Sequence, residues 1–486
     1  MTLANCVAAV SVAVGLLTVV MTTRLRIGYL ISPFSVTVLI LVAIFGVRPL
    51  VVDYGAGPRL YGYSTNSGLL EATIVGLIAI IAVICGYLVV RPAAASCEIN
   101  QQNSMRRINS VAKLGESPVT RVLAGCLAFI LLWVILMAAR GGGIDALIGM
   151  AGGRSAASSR IVEDLPLAIY CLPAASTLTA ATWRALRERN GWSLSSSEKL
   201  IYWIIVLVSL LPPLMLGNRR FVLPCVVAAV IAANLSPRRW NARIKIWQLS
   251  LAVFVFLLLA IVPFVRSSGS RNEGDSLIEA LFAFIQTEGV GGVLTNFFTS
   301  YDTEMLDYIA YVAPRLGGEL DYGLGRGTLQ DVLLTAVPAR IADTQSWSNE
   351  VLITLFGQPC GSGICPVPSF AGTAFFDFGY IGVVILGLVV GGLCRLFETA
   401  IIRPAGFGLV AVLVVGALPA TAIRGNYPSQ LWIAVNIMVT ACVLSWAITR
   451  SNYMGRAIRN NEKPPASLSA IAHSDSNHGL TKKARE

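Results

Sequence analysis

Long apolar runs separated by short polar connections dominate the chain from its first residues to about position 449. Runs suited to crossing a bilayer fall at about 3–21, 28–50, 69–90, 121–139, 161–181, 199–216, 220–235, 246–264, 373–394, 405–423 and 429–448. A membrane α-helix needs roughly 20 consecutive apolar residues, and it satisfies its own backbone hydrogen bonds where lipid cannot. The pattern therefore predicts an all-α polytopic membrane protein with about eleven transmembrane helices. The fifth run is the weakest by charge, because Glu163 and Asp164 sit at its mouth, and the seventh is short.

The polar connections set the orientation. Residues 22–27, 91–120, 182–198, 236–245 and the tail after 449 are basic. All of them fall on one side if the spans alternate, and the excess of Lys and Arg makes that side the cytoplasm. The expected location is the cytoplasmic (inner) membrane, multi-pass, with the N-terminus outside and the C-terminus inside. The first run lacks a basic leader and is followed by Arg24 and Arg26, so it reads as a span and not as a cleaved signal.

Four regions follow: N-terminal membrane helices over 1–264 (about eight spans), a large extracytoplasmic helical cap over 265–372, C-terminal membrane helices over 373–449, and a polar cytoplasmic tail over 450–486. Within the cap, Ser276–Glu288, Asp302–Val312 and Thr328–Val337 read as short helices, interrupted by glycines. The tail, with Pro464–Pro465 and many Ser, has a disordered composition.

Composition narrows the chemistry. Hydrophobic residues make up 55% of the 486 and charged residues 13%, too few to cover a soluble surface. The net charge of +11 is spent on topology, which argues against a nucleic-acid partner. The two histidines, His473 and His478, lie in the tail. The membrane region thus lacks the usual general base and histidine metal ligands. No phosphate-cradling or dinucleotide glycine motif appears, so no cofactor or metal is expected.

What stands out is arginine at the outer ends of spans, against the charge rule. Arg219 and Arg220 form a tight outer turn, Arg424 begins another, and Arg340 and Arg315 each lie just after a proline in the cap. A guanidinium offers a planar fork of donors that suits a pyrophosphate and keeps its charge. The competing reading is that these arginines reach lipid headgroups or pair with carboxylates. Among the acids, Asp377 sits between aromatics at the mouth of a span. It is expected either to hold an arginine or sugar hydroxyl, or to satisfy free donors at a helix N-terminus. Glu319 is a second candidate acid.

Four segments together resemble the O-antigen polymerase (Wzy) and oligosaccharide-repeat-unit polymerase family. Pro368-Ser369-Phe370-Ala371-Gly372-Thr373-Ala374-Phe375-Phe376-Asp377-Phe378-Gly379-Tyr380-Ile381-Gly382 is similar to the family's Pro-Ser segment that runs into aromatic-x-Phe-Gly-x-x-Gly. Asp321-Tyr322-Gly323-Leu324-Gly325-Arg326-Gly327-Thr328, followed by Val337-Pro338-Ala339-Arg340, resembles its Tyr-Gly to Pro-Arg segment. Gly217-Asn218-Arg219-Arg220 and Arg424-Gly425-Asn426 resemble its Gly-Ser-Arg-Gly turn and late Arg-Gly. The chain departs from the family pattern at Gly372 and Thr373, where Glu is frequent, and at Arg220, where Gly is usual.

The resemblance implies a GT-C-like membrane glycosyltransferase that is inverting and metal-independent. Donor and acceptor would be polyprenyl-pyrophosphate-linked glycans, with membrane lipids, a flippase and a chain-length regulator as partners. Arg219, Arg340 and Arg424 would hold the pyrophosphate, with Asp377 or Glu319 as acid–base candidates. Arg220, Arg315, Tyr322 and Asn426 would bind substrate. The alternatives are a polyprenyl-phosphate-sugar-dependent single-sugar transferase and a lipid-linked glycan transporter or flippase.

Cys360 and Cys365 bracket Gly361-Ser362-Gly363-Ile364 in the expected outer segment, where a disulfide would persist. We expect mass spectrometry of the non-reduced peptide to find them bonded to each other. Two freely alkylated thiols would reject the pairing.

Overall fold

The computed structural model describes residues 2–25, 32–57, 60–90, 119–141, 167–189, 194–209, 303–336, 346–359, 366–402, 408–423 and 425–461, with Ala229 and a few positions between 286 and 299. Its helices are α1 (Leu3–Arg24), α2 (Pro33–Val51), α3 (Leu69–Val89), α4 (Val119–Gly141), α5 (Leu172–Arg189) and α6 (Ser196–Val208). Three short helices follow, α7 (Met305–Val312), α8 (Asp331–Ala336) and α9 (Trp347–Phe356). The chain then forms α10 (Ser369–Ile402), α11 (Gly408–Ile423) and α12 (Tyr427–Asn461). Among the described residues, extended pairing is limited to two isolated bridges, Leu60 with Tyr63 and Leu316 with Leu320.

Six helices among the described residues are long and apolar enough to cross a bilayer: Leu3–Arg24, Pro33–Val51, Asn66–Val89, Arg121–Ala139, Ser369–Glu398 and Tyr427–Ile448. The sequence pattern gave about eleven. The run 246–264 lies outside the described residues, as do the run 220–235 apart from Ala229, the end of 199–216, and nearly all of the segment Ser276–Glu288. α11 replaces the run 405–423 with only 16 helical residues.

The fifth run differs for a physical reason. Its helix is α5, which continues to Arg189 through what the charge pattern made a loop. The charges are answered in place. Arg184 lies 3.2 Å from Glu188 and 4.6 Å above the Tyr202 ring. Arg187 lies 3.2 Å from Glu198 and 5.5 Å from the Trp183 ring. Paired guanidinium groups stacked on rings can stay within packed helix, so hydropathy alone misplaced the boundary.

α3 and α10 form the tightest pair. A Cβ at Gly86 would overlap the Leu388 carbonyl, and one at Gly391 would overlap the Val83 carbonyl. At Gly387 it would lie 2.6 Å from the Ala82 Cβ. Small residues thus bring the two backbones into contact, which is how helices associate where lipid removes the hydrophobic drive. At one end of this pair, Gly68 leaves no room for a side chain against the Ala310 carbonyl. α7 therefore sits directly on the end of α3, and its eight residues are all buried.

Replacing Gly391 by Val should force α3 and α10 apart and cost about 1–3 kcal/mol or more through overpacking. Val389, half-exposed on the other face of α10, should tolerate Ala. Thermal unfolding of the detergent-solubilised protein, followed by gel filtration, reads the difference. Equal stability of Gly391→Val and the parent would contradict backbone contact.

Candidate functional site

α10 is not one continuous helix. Phe378 (φ −136°, ψ 17°) and Gly379 (φ 61°, ψ −149°) interrupt it. The positive φ at Gly379 is cheap only for glycine. Past the break, Gly382 passes so close to the Ala374 carbonyl that no Cβ fits. The Phe-Gly-x-x-Gly spacing is thus the spacing of a sharp turn in a helix. Before the break, Phe370, Ala371, Ala374, Phe375 and Phe376 are buried. After it, Phe378, Ile381 and Ile385 are exposed.

A break leaves carbonyl groups at the end of the first segment needing donors. They receive them from the glycine-rich segment 321–328. Gly323 N–H donates to the Phe376 carbonyl and Leu324 N–H to the Asp377 carbonyl, each at 3.0 Å. The Asp377 side chain completes the clasp. One oxygen accepts from Gly327 N–H at 3.0 Å and the other from Thr328 N–H at 2.6 Å. These are donors at the start of the helical stretch 326–336, so the carboxylate acts as an N-terminal cap supplied by another segment. Gly323 and Gly327 have to be glycine, since a Cβ on the first would overlap the Asp377 carboxylate and one on the second would crowd Trp347 at 3.0 Å.

The same device recurs one step along. Asp331 accepts from Trp347 N–H at 2.8 Å and from Ser348 N–H at 3.0 Å, capping α9. Arg326 pairs with Glu350 on the exposed side. Nearby, α8 meets the start of α12, where the Trp432 indole donates to the Val332 carbonyl.

Beside the clasp lies an open groove of about 460 Å³, lined by Tyr322, Leu324, Asp377, Phe378, Gly379, Ile381 and Ile385. Asp377 is the carboxylate among the described lining residues and is buried, with each oxygen accepting a backbone N–H.

A second polar centre escaped the sequence analysis. Arg48, at the end of α2, is 1% exposed and forms an ion pair with Asp307 of α7, which is fully buried. It also donates to Thr303 Oγ1 and the Phe298 carbonyl. The Tyr54 hydroxyl donates to Asp307 at 2.7 Å. Burial, and then the Asp307 carboxylate, push the Tyr54 phenol well above its ordinary value, so it remains a donor. The signal was available, because Arg48 is one more arginine at the expected outer end of a span.

The predicted site residues divide clearly. Asp377 and Tyr322 share the groove. Arg315 is stacked 3.8 Å over the Tyr311 ring and paired at 3.5 Å with Glu319, which is largely exposed. Asp377 caps backbone donors of the segment 326–336. Asn426, beside the start of α12, has its side-chain oxygen buried without a hydrogen-bond partner among the described residues, and so does Gln430 one turn on. Arg219, Arg220, Arg340, Arg424, Cys360 and Cys365 lie outside the described residues.

Replacing Asp377 by Asn turns one acceptor into a donor facing a backbone N–H, and Gly323→Ala pushes a methyl into the carboxylate. Each should destabilise the clasp locally by about 1–3 kcal/mol and speed hydrogen–deuterium exchange over residues 323–330. Unchanged protection in both variants would reject the clasp.

No curated protein and no solved structure matches the chain. A model of the family described as O-antigen polysaccharide polymerase Wzy matches residues 2–455, nearly the whole length. The chain belongs to the Wzy family of O-antigen polysaccharide polymerases and is a membrane enzyme of that glycosyl-transfer type.

Proposed function

We propose that the chain polymerises polyprenyl-pyrophosphate-linked oligosaccharide repeat units at the outer face of the cytoplasmic membrane, by inverting, metal-independent transfer. In this reading the about eleven spans place the N-terminus and the 265–372 cap outside and the tail inside. The observation that carries the reading is the contact of α8 with α12 through Val332 and Trp432. α8 ends four residues before Arg340, and α12 begins three residues after Arg424. Arg340 and Arg424, far apart in sequence, thus each lie within a few residues along the chain of one of two touching helices.

The reaction needs little acid–base help. A hydroxyl of the acceptor glycan attacks the anomeric carbon of the donor, and the bond from that carbon to the pyrophosphate oxygen breaks. The hydroxyl proton leaves to water or to a phosphate oxygen. Arg219, Arg340 and Arg424 stabilise the charge that grows on the leaving pyrophosphate, the largest demand of the step. Asp377 acts as a positioning residue, because it fixes the start of the segment that leads to Arg340. The Asn426 and Gln430 amide oxygens, buried without partners among the described residues, are suited to accept sugar hydroxyl groups, since an unpaired buried acceptor is costly until a ligand fills it.

The purified protein, given a defined lipid-linked glycan, should convert the single unit into a ladder of longer products. Addition of one sugar and no ladder would instead support a single-sugar transferase. Arg219→Ala, Arg340→Ala and Arg424→Ala should each lose a contact worth roughly 2–5 kcal/mol, with Lys restoring only part of the rate because it keeps the charge and loses the fork. Full activity in all three Ala variants, at normal expression, would overturn the assignment.

A further inference from the structure

Asn426 immediately precedes α12, where an asparagine oxygen ordinarily accepts a backbone N–H of the first turn. Pro428 removes one of those N–H groups. The Asn426 side-chain oxygen is buried with no hydrogen-bond partner among the described residues, while its backbone carbonyl accepts from Gln430 N–H at 3.1 Å. Gln430 itself is 5% exposed, and its side-chain oxygen is also buried and unpartnered among the described residues. Four positions apart on a helix, the two residues share a face.

The turn into α12 is shaped around Gln430. A Cβ at Gly425 would lie 2.5 Å from Gln430 Nε2, so the amide folds back over the turn and glycine leaves it room. Exchanging oxygen and nitrogen within the amide does not help, because the unpaired acceptor becomes an unpaired donor. An apolar side chain of the same shape would serve the fold better. The electrostatics then select a ligand. Amide oxygens turn lone pairs toward it, which disfavours an anion. The N-terminus of a 35-residue helix presents free N–H groups and the positive end of its dipole, which disfavours a cation. A neutral group that both donates and accepts suits the two together, and a sugar hydroxyl is such a group.

We propose that Asn426 and Gln430 form a sugar-selecting subsite, which reads hydroxyl groups of the glycan and takes no part in holding its pyrophosphate. That the ligand is a glycan rests on the function proposed above. Hydroxyl groups donate to the two amide oxygens and accept from N–H groups of the first turn. Such a site rejects a sugar that lacks the hydroxyl, because the buried amides are then left unpaired. Selectivity comes with a less stable empty protein.

Gln430→Met tests this, since it keeps the length of the side chain and removes the amide. In thermal unfolding of the full-length protein without substrate, the variant should melt about 1–3 °C above the parent, because a buried unpaired acceptor is gone. In polymerisation of the lipid-linked unit, its apparent KM should rise roughly three- to tenfold, the loss of one neutral hydrogen bond. Asn426→Leu should shift both readings the same way. The parent should lose the same factor toward one analogue lacking a single hydroxyl, and toward that analogue Gln430→Met should lose nothing further. A unit blocked at its acceptor hydroxyl acts only as donor, and the lipid-free glycan acts only as acceptor. The one whose KM responds to Gln430→Met carries the hydroxyl that is read. A variant that melts below the parent with unchanged KM would mark Gln430 as structural and overturn the proposal. An equal loss by Gln430→Met toward every single-deoxy analogue would overturn it too. If no ladder forms, yet the glycan raises the melting temperature of the parent more than that of Gln430→Met, the function proposed above fails and the subsite stands. A ladder formed with unchanged KM in both variants sinks the subsite alone.

Discussion

A break inside an apolar helix frees carbonyl groups that hydrocarbon cannot satisfy. This constraint organises the region around Asp377. The turn at Phe378–Gly379 is sustained because backbone donors from a distant segment, Gly323 and Leu324, reach the freed carbonyls. In return the Asp377 carboxylate caps the helical stretch that the same segment begins. Neither side is complete without the other. A span and a cap loop separated by some fifty residues thus fix one another's geometry, and the groove exists only because the helix turns away at that point.

Buried charge fastens the cap a second time. Arg48 and Asp307 are both removed from solvent, and such a pair is tolerable only if its remaining donors and acceptors are met. Thr303, the Phe298 carbonyl and Tyr54 meet them. Losing either partner would leave a bare charge in the interior. The pair is therefore better understood as a means of fixing where α7 docks on α2 and α3 than as a large source of stability. With Gly68 admitting the backbone of α7, this short helix becomes part of the packing of the long ones.

The division of labour among acidic residues follows from the same geometry. Asp377 and Asp331 spend their oxygens on backbone N–H groups, and Glu319 and Glu350 face arginines at the surface. Chemistry in which the leaving group is already a pyrophosphate asks mainly for positive charge and orientation. Carboxylates committed to the scaffold, leaving the anion to arginine, are what the proposed transfer would call for.

Hydropathy and loop charge by themselves determined that the chain is helical and membrane-embedded, and they located α1, α2, α3, α4, α10 and α12 closely, because a span is specified by about twenty local residues. The ordered glycine, arginine and aromatic segments were enough to point to the family. Local sequence could not settle the boundary of α5, since the Glu198 carboxylate that pairs with Arg187 and the Tyr202 ring on which Arg184 stacks are brought in only by folding. It left two readings for Asp377, and that its oxygens cap donors of a segment fifty residues away became visible only in the fold. Arg48 and Asp307 stayed invisible as a pair, being 259 residues apart. Apolar periodicity is written along the chain, whereas the partner of a buried polar group is chosen by the fold, because only there does the cost of leaving it unpaired arise.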